Sequence, residues 1–127
     1  MKLQAFTDLL RALLAFQGYQ DIEPPKMYVV PHQLLNVMYP EFKDARALHD
    51  CKKKTIFMAD KFDPSDVLDL ATAAYETRRH IQCIEGRILT QCYAQREAEA
   101  FKVAVAYLEA NNVRVSRELR QKTTRTC

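Results

Sequence analysis

A chain of 127 residues, 48% apolar and 28% charged, is sized and composed for one domain with its own core rather than for a disordered segment. Two glycines and five prolines cannot serve a fold that needs many tight β-turns, and no stretch approaches the ~18 apolar residues of a bilayer span. The net charge of +3 is local, because five cations against Glu118 fall between Asn111 and Cys127. Leu, Ala, Glu, Gln, Lys and Arg dominate the remainder. The expected fold is therefore all-α: a small irregular helical bundle forming a single domain over residues 1–127.

In chain order, residues 3–17 predict a first helix. Leu3, Phe6, Leu9, Leu10, Leu13 and Leu14 recur at three- and four-residue spacing, and Gly18 is placed as its C-terminal stop. Asp8 and Arg11 interrupt the apolar run as they would in an amphipathic helix, not in an export signal. Residues 19–31 read as a proline-rich connector, with Pro24 and Pro25 forcing extended backbone. Met27, Tyr28, Val29 and Val30 could form an extended piece there. A lone strand lacks a partner, so the sequence reading assigns no sheet. Residues 32–51 are expected to form a second helical region, entered after Pro31 and interrupted at Pro40. Residues 52–62 are expected to be a loop.

Asp63-Pro64-Ser65-Asp66 is a helix-start signature, with Ser65 as the expected cap. From there a helical pattern without proline runs over residues 66–110. As one helix it would reach roughly 67 Å at 1.5 Å per residue, with Gly86 the natural bend or break. Val67, Ala74, Ile81 and Ile88 keep a seven-residue rhythm, which invites packing on the N-terminal helices or on a second copy of the chain. Asn111 and Asn112 should close this helix, and Ser116 should cap a short basic helix over residues 117–124.

Catalytic signatures are sparse. The only serines, Ser65 and Ser116, sit at expected caps, and two isolated glycines cannot build a phosphate loop. His49 with Cys51, and His80 with Cys83, carry zinc-ligand types at short spacing, but neither pair is a C-x-x-C knuckle. Cys51 beside Lys52, Lys53 and Lys54 has the cations of an activated thiol without an evident pocket. The carboxylates of Glu97 and Glu99 read as solvated helix charges. No metal, cofactor or catalytic residue is expected, and the four cysteines, Cys127 included, are expected to be free thiols in a cytoplasmic protein.

The expected function is that of a non-catalytic regulatory or adaptor protein that binds another macromolecule. Met27, Tyr28, Val29 and Val30 are the expected docking residues for a protein partner. Arg114, Arg117, Arg120, Gln121, Lys122 and Arg125 are expected to meet an acidic partner surface. The alternative is a nucleic-acid-binding regulator, since a helix, a turn and a short basic helix resemble a helix-turn-helix outline. A homo-oligomeric contact along the long helix accompanies either reading, and no membrane association is expected.

Overall fold

The computed structural model describes residues 3–42 and 45–127, with side chains from Phe6 onward. The Leu3 side chain and residues 43–44, which fall inside two of the predicted helical stretches, lie outside the described residues. Five α-helices and three strands follow in the order α1 (Leu3–Phe16), β1 (Lys26–Val30), α2 (His32–Met38), β2 (Ala47–Asp50), β3 (Thr55–Ala59), α3 (Val67–Ile84), α4 (Tyr93–Ala110) and α5 (Arg117–Lys122). The protein is α+β, which overturns the all-α bundle.

The sheet is mixed, in the order β1-β3-β2. β3 pairs in parallel with β1, Lys26 opposite Thr55, and antiparallel with β2, Asp50 opposite Thr55. Only one tight turn is therefore required, and it uses no glycine: Lys54 takes the positive φ of 48° and its N–H returns to the Cys51 carbonyl. The parallel pair is joined by a crossover through α2, so glycine scarcity never excluded this sheet. All five residues of β3 are buried. Ile56 and Met58 enter the core beneath α1 and α3, while Phe57 packs under Tyr28 and Tyr39 on the other face. A strand covered on both faces shows no alternation, which is why TIFMA reads as an apolar loop.

The predicted 66–110 helix is two helices folded back on each other. α3 ends at Ile84, Gly86 takes φ +70°, and Arg87–Leu89 forms a 3-10 turn before α4. Ile88, counted in the heptad series, is exposed along with Ile84 and Leu89. The surplus helix length that suggested a partner copy is thus taken up within the chain. α3 and α4 run antiparallel, as the contacts of Tyr75 with Phe101 and Gln82 with Glu99 require. Glu99 accepts hydrogen bonds from Arg87 and Gln82 and pairs with Arg78 at 3.2 Å, so it is not the solvated charge expected.

Helix ends follow local chemistry. Gly18 (φ +88°) closes α1 with Tyr19 N–H on the Leu14 carbonyl, and Asn112 (φ 60°) closes α4 with Val113 N–H on Leu108. Ser116 caps α5 as predicted. α3 is capped by Asp66 rather than Ser65, whose hydroxyl donates to Asp63 instead. The dry core gathers Phe6, Leu10, Leu13, Met27, Ile56 and Met58 against Ala73 and Ala74 of α3.

Two disulfides, Cys51–Cys83 and Cys92–Cys127, correct the expectation of free thiols. Among the described residues no helix is long and apolar enough to cross a membrane.

Candidate ligand cleft

One face of α3 packs on α1, and the next lines an open cleft of about 920 Å³. Its far wall is β2 with the segment before it, and its floor and end come from α4 and α5. Leu68, Ala71, Tyr75, Phe101, Leu108 and Leu119 make most of this surface apolar. Such a size and lining suit a binding pocket.

Two polar side chains interrupt that apolar surface. Glu76 is only 6% exposed, and its carboxyl makes no hydrogen bond to any described residue. Burial pushes its pKa up to about 7, against the opposing pull of Arg79 one turn along. Arg79 lies with its guanidinium 4.9 Å from the Tyr93 ring centre. Its Nη1 is buried without a hydrogen-bond partner among the described residues, and no carboxylate there comes within ion-pair distance. Buried polar atoms are normally satisfied, so the orphaned Arg79 Nη1, one turn from a buried carboxyl, marks a place where a further group fits.

Opposite them, β2 presents an open edge. The Ala59 N–H bonds to the Arg46 carbonyl, which puts Arg46, Leu48 and Asp50 in the hydrogen-bonded register with β3. The backbone groups of Ala47 and His49 consequently point away from the sheet. The His49 side chain lies over α3, its Nε2 3.4 Å from Nδ1 of His80. His80 Nε2 donates to the Glu23 carbonyl at 2.9 Å, so its Nδ1 is the acceptor and His49 Nε2 carries the bridging proton. Burial, followed by His80 and Arg79, pushes the His49 pKa down to about 3, and burial lowers that of His80 as well. Both rings are neutral. Beside them, Tyr39 donates to Asp50 at 2.5 Å; burial and that carboxylate push the phenol up to about 12.

The bridge from Cys51 to Cys83 joins the end of β2 to α3 one turn beyond Arg79. It brings together the four residues that sequence spacing had singled out, with the sulfurs bonded to each other. Among the described residues no group of three or more His, Cys, Asp or Glu is placed to hold a metal ion.

The predicted docking residues divide. Met27 belongs to the core, Tyr28 and Val29 are exposed at the other edge of the sheet, and Val30 is half-buried. The basic segment is largely folded onto α4. Arg120 pairs with Glu109 at 3.1 Å and Arg125 pairs with Glu97. Lys122 lies over Phe101 at the cleft end, and Cys127 is bonded to Cys92. Arg114, Arg117 and Gln121 remain exposed. Sequence reasoning marks Arg79, with Arg78, only as a basic pair that could extend a cationic surface, and it does not single out Glu76, Tyr75 or Tyr93. The available signal was Glu76 itself, a charge set at helical spacing among Ala73, Thr77 and His80.

No protein family model, curated protein or solved structure matches this chain.

Proposed function

We propose that this protein is a non-catalytic adaptor or regulatory protein that binds an extended segment of a partner protein in the cleft between β2 and α3. The observation that carries this reading is the pairing of an open strand edge with an apolar cleft that holds the unsatisfied Arg79 Nη1 beside the buried Glu76 carboxyl. An extended chain laid along β2 would bond the free groups of Ala47 and His49, while its side chains would enter the cleft. The test is selection of peptides from a random library on the oxidised protein, followed by amide chemical-shift mapping. Selected peptides should shift Ala47, His49, Tyr75 and Glu76 first. Failure to select any peptide, or shifts confined to the α1 side, defeats the reading.

The basic segment supports the nucleic-acid alternative only through Arg114, Arg117 and Gln121, since Arg120 and Arg125 are engaged within the chain. Salt-sensitive anisotropy with duplex DNA, lost in Arg114→Ala/Arg117→Ala, would favour it over the cleft. The cytoplasmic placement expected from the sequence fits poorly with two disulfides, which persist in oxidising compartments, and we propose such a compartment instead. Alkylation of the protein at its natural source decides this: two or more free thiols per chain would restore the cytoplasmic placement.

A further inference from the structure

We infer that the occupant of the cleft is the C-terminus of a partner chain, its terminal carboxylate held by Arg79 and its last apolar side chains laid over Tyr75 and Phe101. This rests on the adaptor reading above and adds the chemistry of what is bound.

Three observations converge. The first is the unpaired guanidinium of Arg79, with Nη1 buried and lacking an acceptor among the described residues. Arginine presents a planar fork of donors that matches a carboxylate in two parallel hydrogen bonds, and a guanidinium with Nη1 unsatisfied in an apolar cleft favours that shape. The second is polarity along the cleft. Leu68, Leu108 and Leu119 line one end, where the Lys122 ammonium is held over the Phe101 ring, whereas Arg79, Tyr93 and Lys52 line the other. An amphipathic ligand with a single anionic end matches that gradient. The third is closure. The Cys51–Cys83 bridge straps β2 to α3 one turn beyond Arg79, so a chain running between these two elements stops there. An internal Asp or Glu would need the chain to continue past the strap. A terminal carboxylate does not.

Glu76 decides when this works. Its carboxyl sits one turn from Arg79 and would repel a bound carboxylate if ionised. Burial keeps it protonated up to about pH 7, and in that form it donates a hydrogen bond to the incoming anion. The other ionisable groups around the cleft are Tyr75 and Arg79 of α3, Tyr93 and Glu97 of α4, His49 and Asp50 of β2, Glu41, Arg46 and Lys52 of the flanking segments, and Lys122 of α5. Glu97 is paired with Arg125, Asp50 accepts from Tyr39, His49 is neutral and both phenols are shifted upward. Glu76 is therefore the group that switches in the neutral range.

The test uses the full oxidised chain and labelled heptapeptides with three apolar C-terminal residues, each made as free acid and as C-terminal carboxamide. At pH 6 the acid should bind about 10-fold more tightly than the amide, a difference of one decade in Kd. Arg79→Gln should abolish that difference, and Arg79→Lys should restore part of it. Amidated peptides with one internal Glu should behave as plain amides. In wild type the preference should shrink between pH 6 and pH 8, and in Glu76→Gln it should not. Equal binding of acid and amide, with both mapping to the cleft, overturns the terminal-carboxylate inference and leaves the adaptor reading standing. No binding by either form defeats that reading and the inference with it. Should Arg79→Gln fail to fold by circular dichroism, the acid–amide comparison on wild type and Arg79→Lys decides.

Discussion

Two glutamates lie on or against α3, and their surroundings could hardly differ more. Glu99, on α4 and facing α3, accepts from Arg87 and Gln82 and pairs with Arg78. Burial alone would raise its pKa, but those donors hold it below the usual carboxylate range. Glu76, on the cleft side, has no such donors, and burial drives it the other way, to about 7. The first carboxylate joins two helices. The second is a cost to the folded state that a packed apolar residue would avoid, which is why it marks a site rather than a support.

The cleft region compensates with a covalent link where the Glu99 region has ion pairs. Removing that link tests the contrast between the two regions most directly. Cys51→Ala/Cys83→Ala frees a bridge spanning 32 residues of sequence, with an expected loss of about 4 kcal/mol in urea unfolding. Hydrogen exchange should accelerate first in β2 and the end of α3, while α4 stays protected. Uniform acceleration would show that the cleft wall has no separate stability. Next, Glu99→Ala leaves two guanidinium groups facing each other without their anion, and about 3 kcal/mol should be lost at pH 7. An unchanged midpoint would mean that solvent already screens the cluster.

Glu76→Gln should act with the opposite sign. A carboxyl whose folded pKa is raised from 4.5 to about 7 favours folding fully below about pH 4.5. That contribution is lost as pH rises toward 7, and above it the penalty is complete, about 3 kcal/mol for a shift of this size. Allowing about 1 kcal/mol for the unpartnered amide of the replacement, the variant should be about 2 kcal/mol more stable than wild type at pH 8. At pH 4 it should show no gain. Glu99 provides the control, since a depressed carboxylate loses its contribution as pH falls through its folded pKa, not as pH rises. A Glu76 variant whose advantage persists at pH 4 would separate the gain from titration. The smallest effect is expected for Arg79→Gln, within about 1 kcal/mol, because that guanidinium has no ion-pair partner to lose. A larger loss would identify Arg79 as a structural residue and weaken the carboxylate assignment.

Much of the helical framework was legible from sequence because helix ends are local. Gly18, Gly86, Asn112 and Ser116 stop or start helices where their own backbone and side-chain chemistry says they should. The sheet was not legible, because pairing is non-local. Met27 to Val30 was recognised as extended, but its partner Thr55–Ala59 carries no alternation and lies across an intervening helix. β2 was absorbed into a predicted helix since Ala47 to Asp50 has neither β-branched residues nor a period of two. The disulfides were missed for a similar reason. Cysteine count and a leader argument say nothing about which Cα atoms approach to 5.7 Å. The cleft follows from both omissions, since it exists only where β2 stands opposite α3.

The central position of β3 also dictates an order of assembly. Its antiparallel neighbour is a four-residue turn away, whereas its parallel neighbour must be brought back across α2 and the segment that follows. Short loops close at less entropic expense, so the hairpin should form early and β1 should dock late, onto an edge that until then is bare. Pulse-labelling during refolding would register this as protection at Phe57 appearing before protection at Tyr28. In the interval one bare margin of the sheet is the apolar β3 instead of β1, and crowding at that stage is where aggregation would begin.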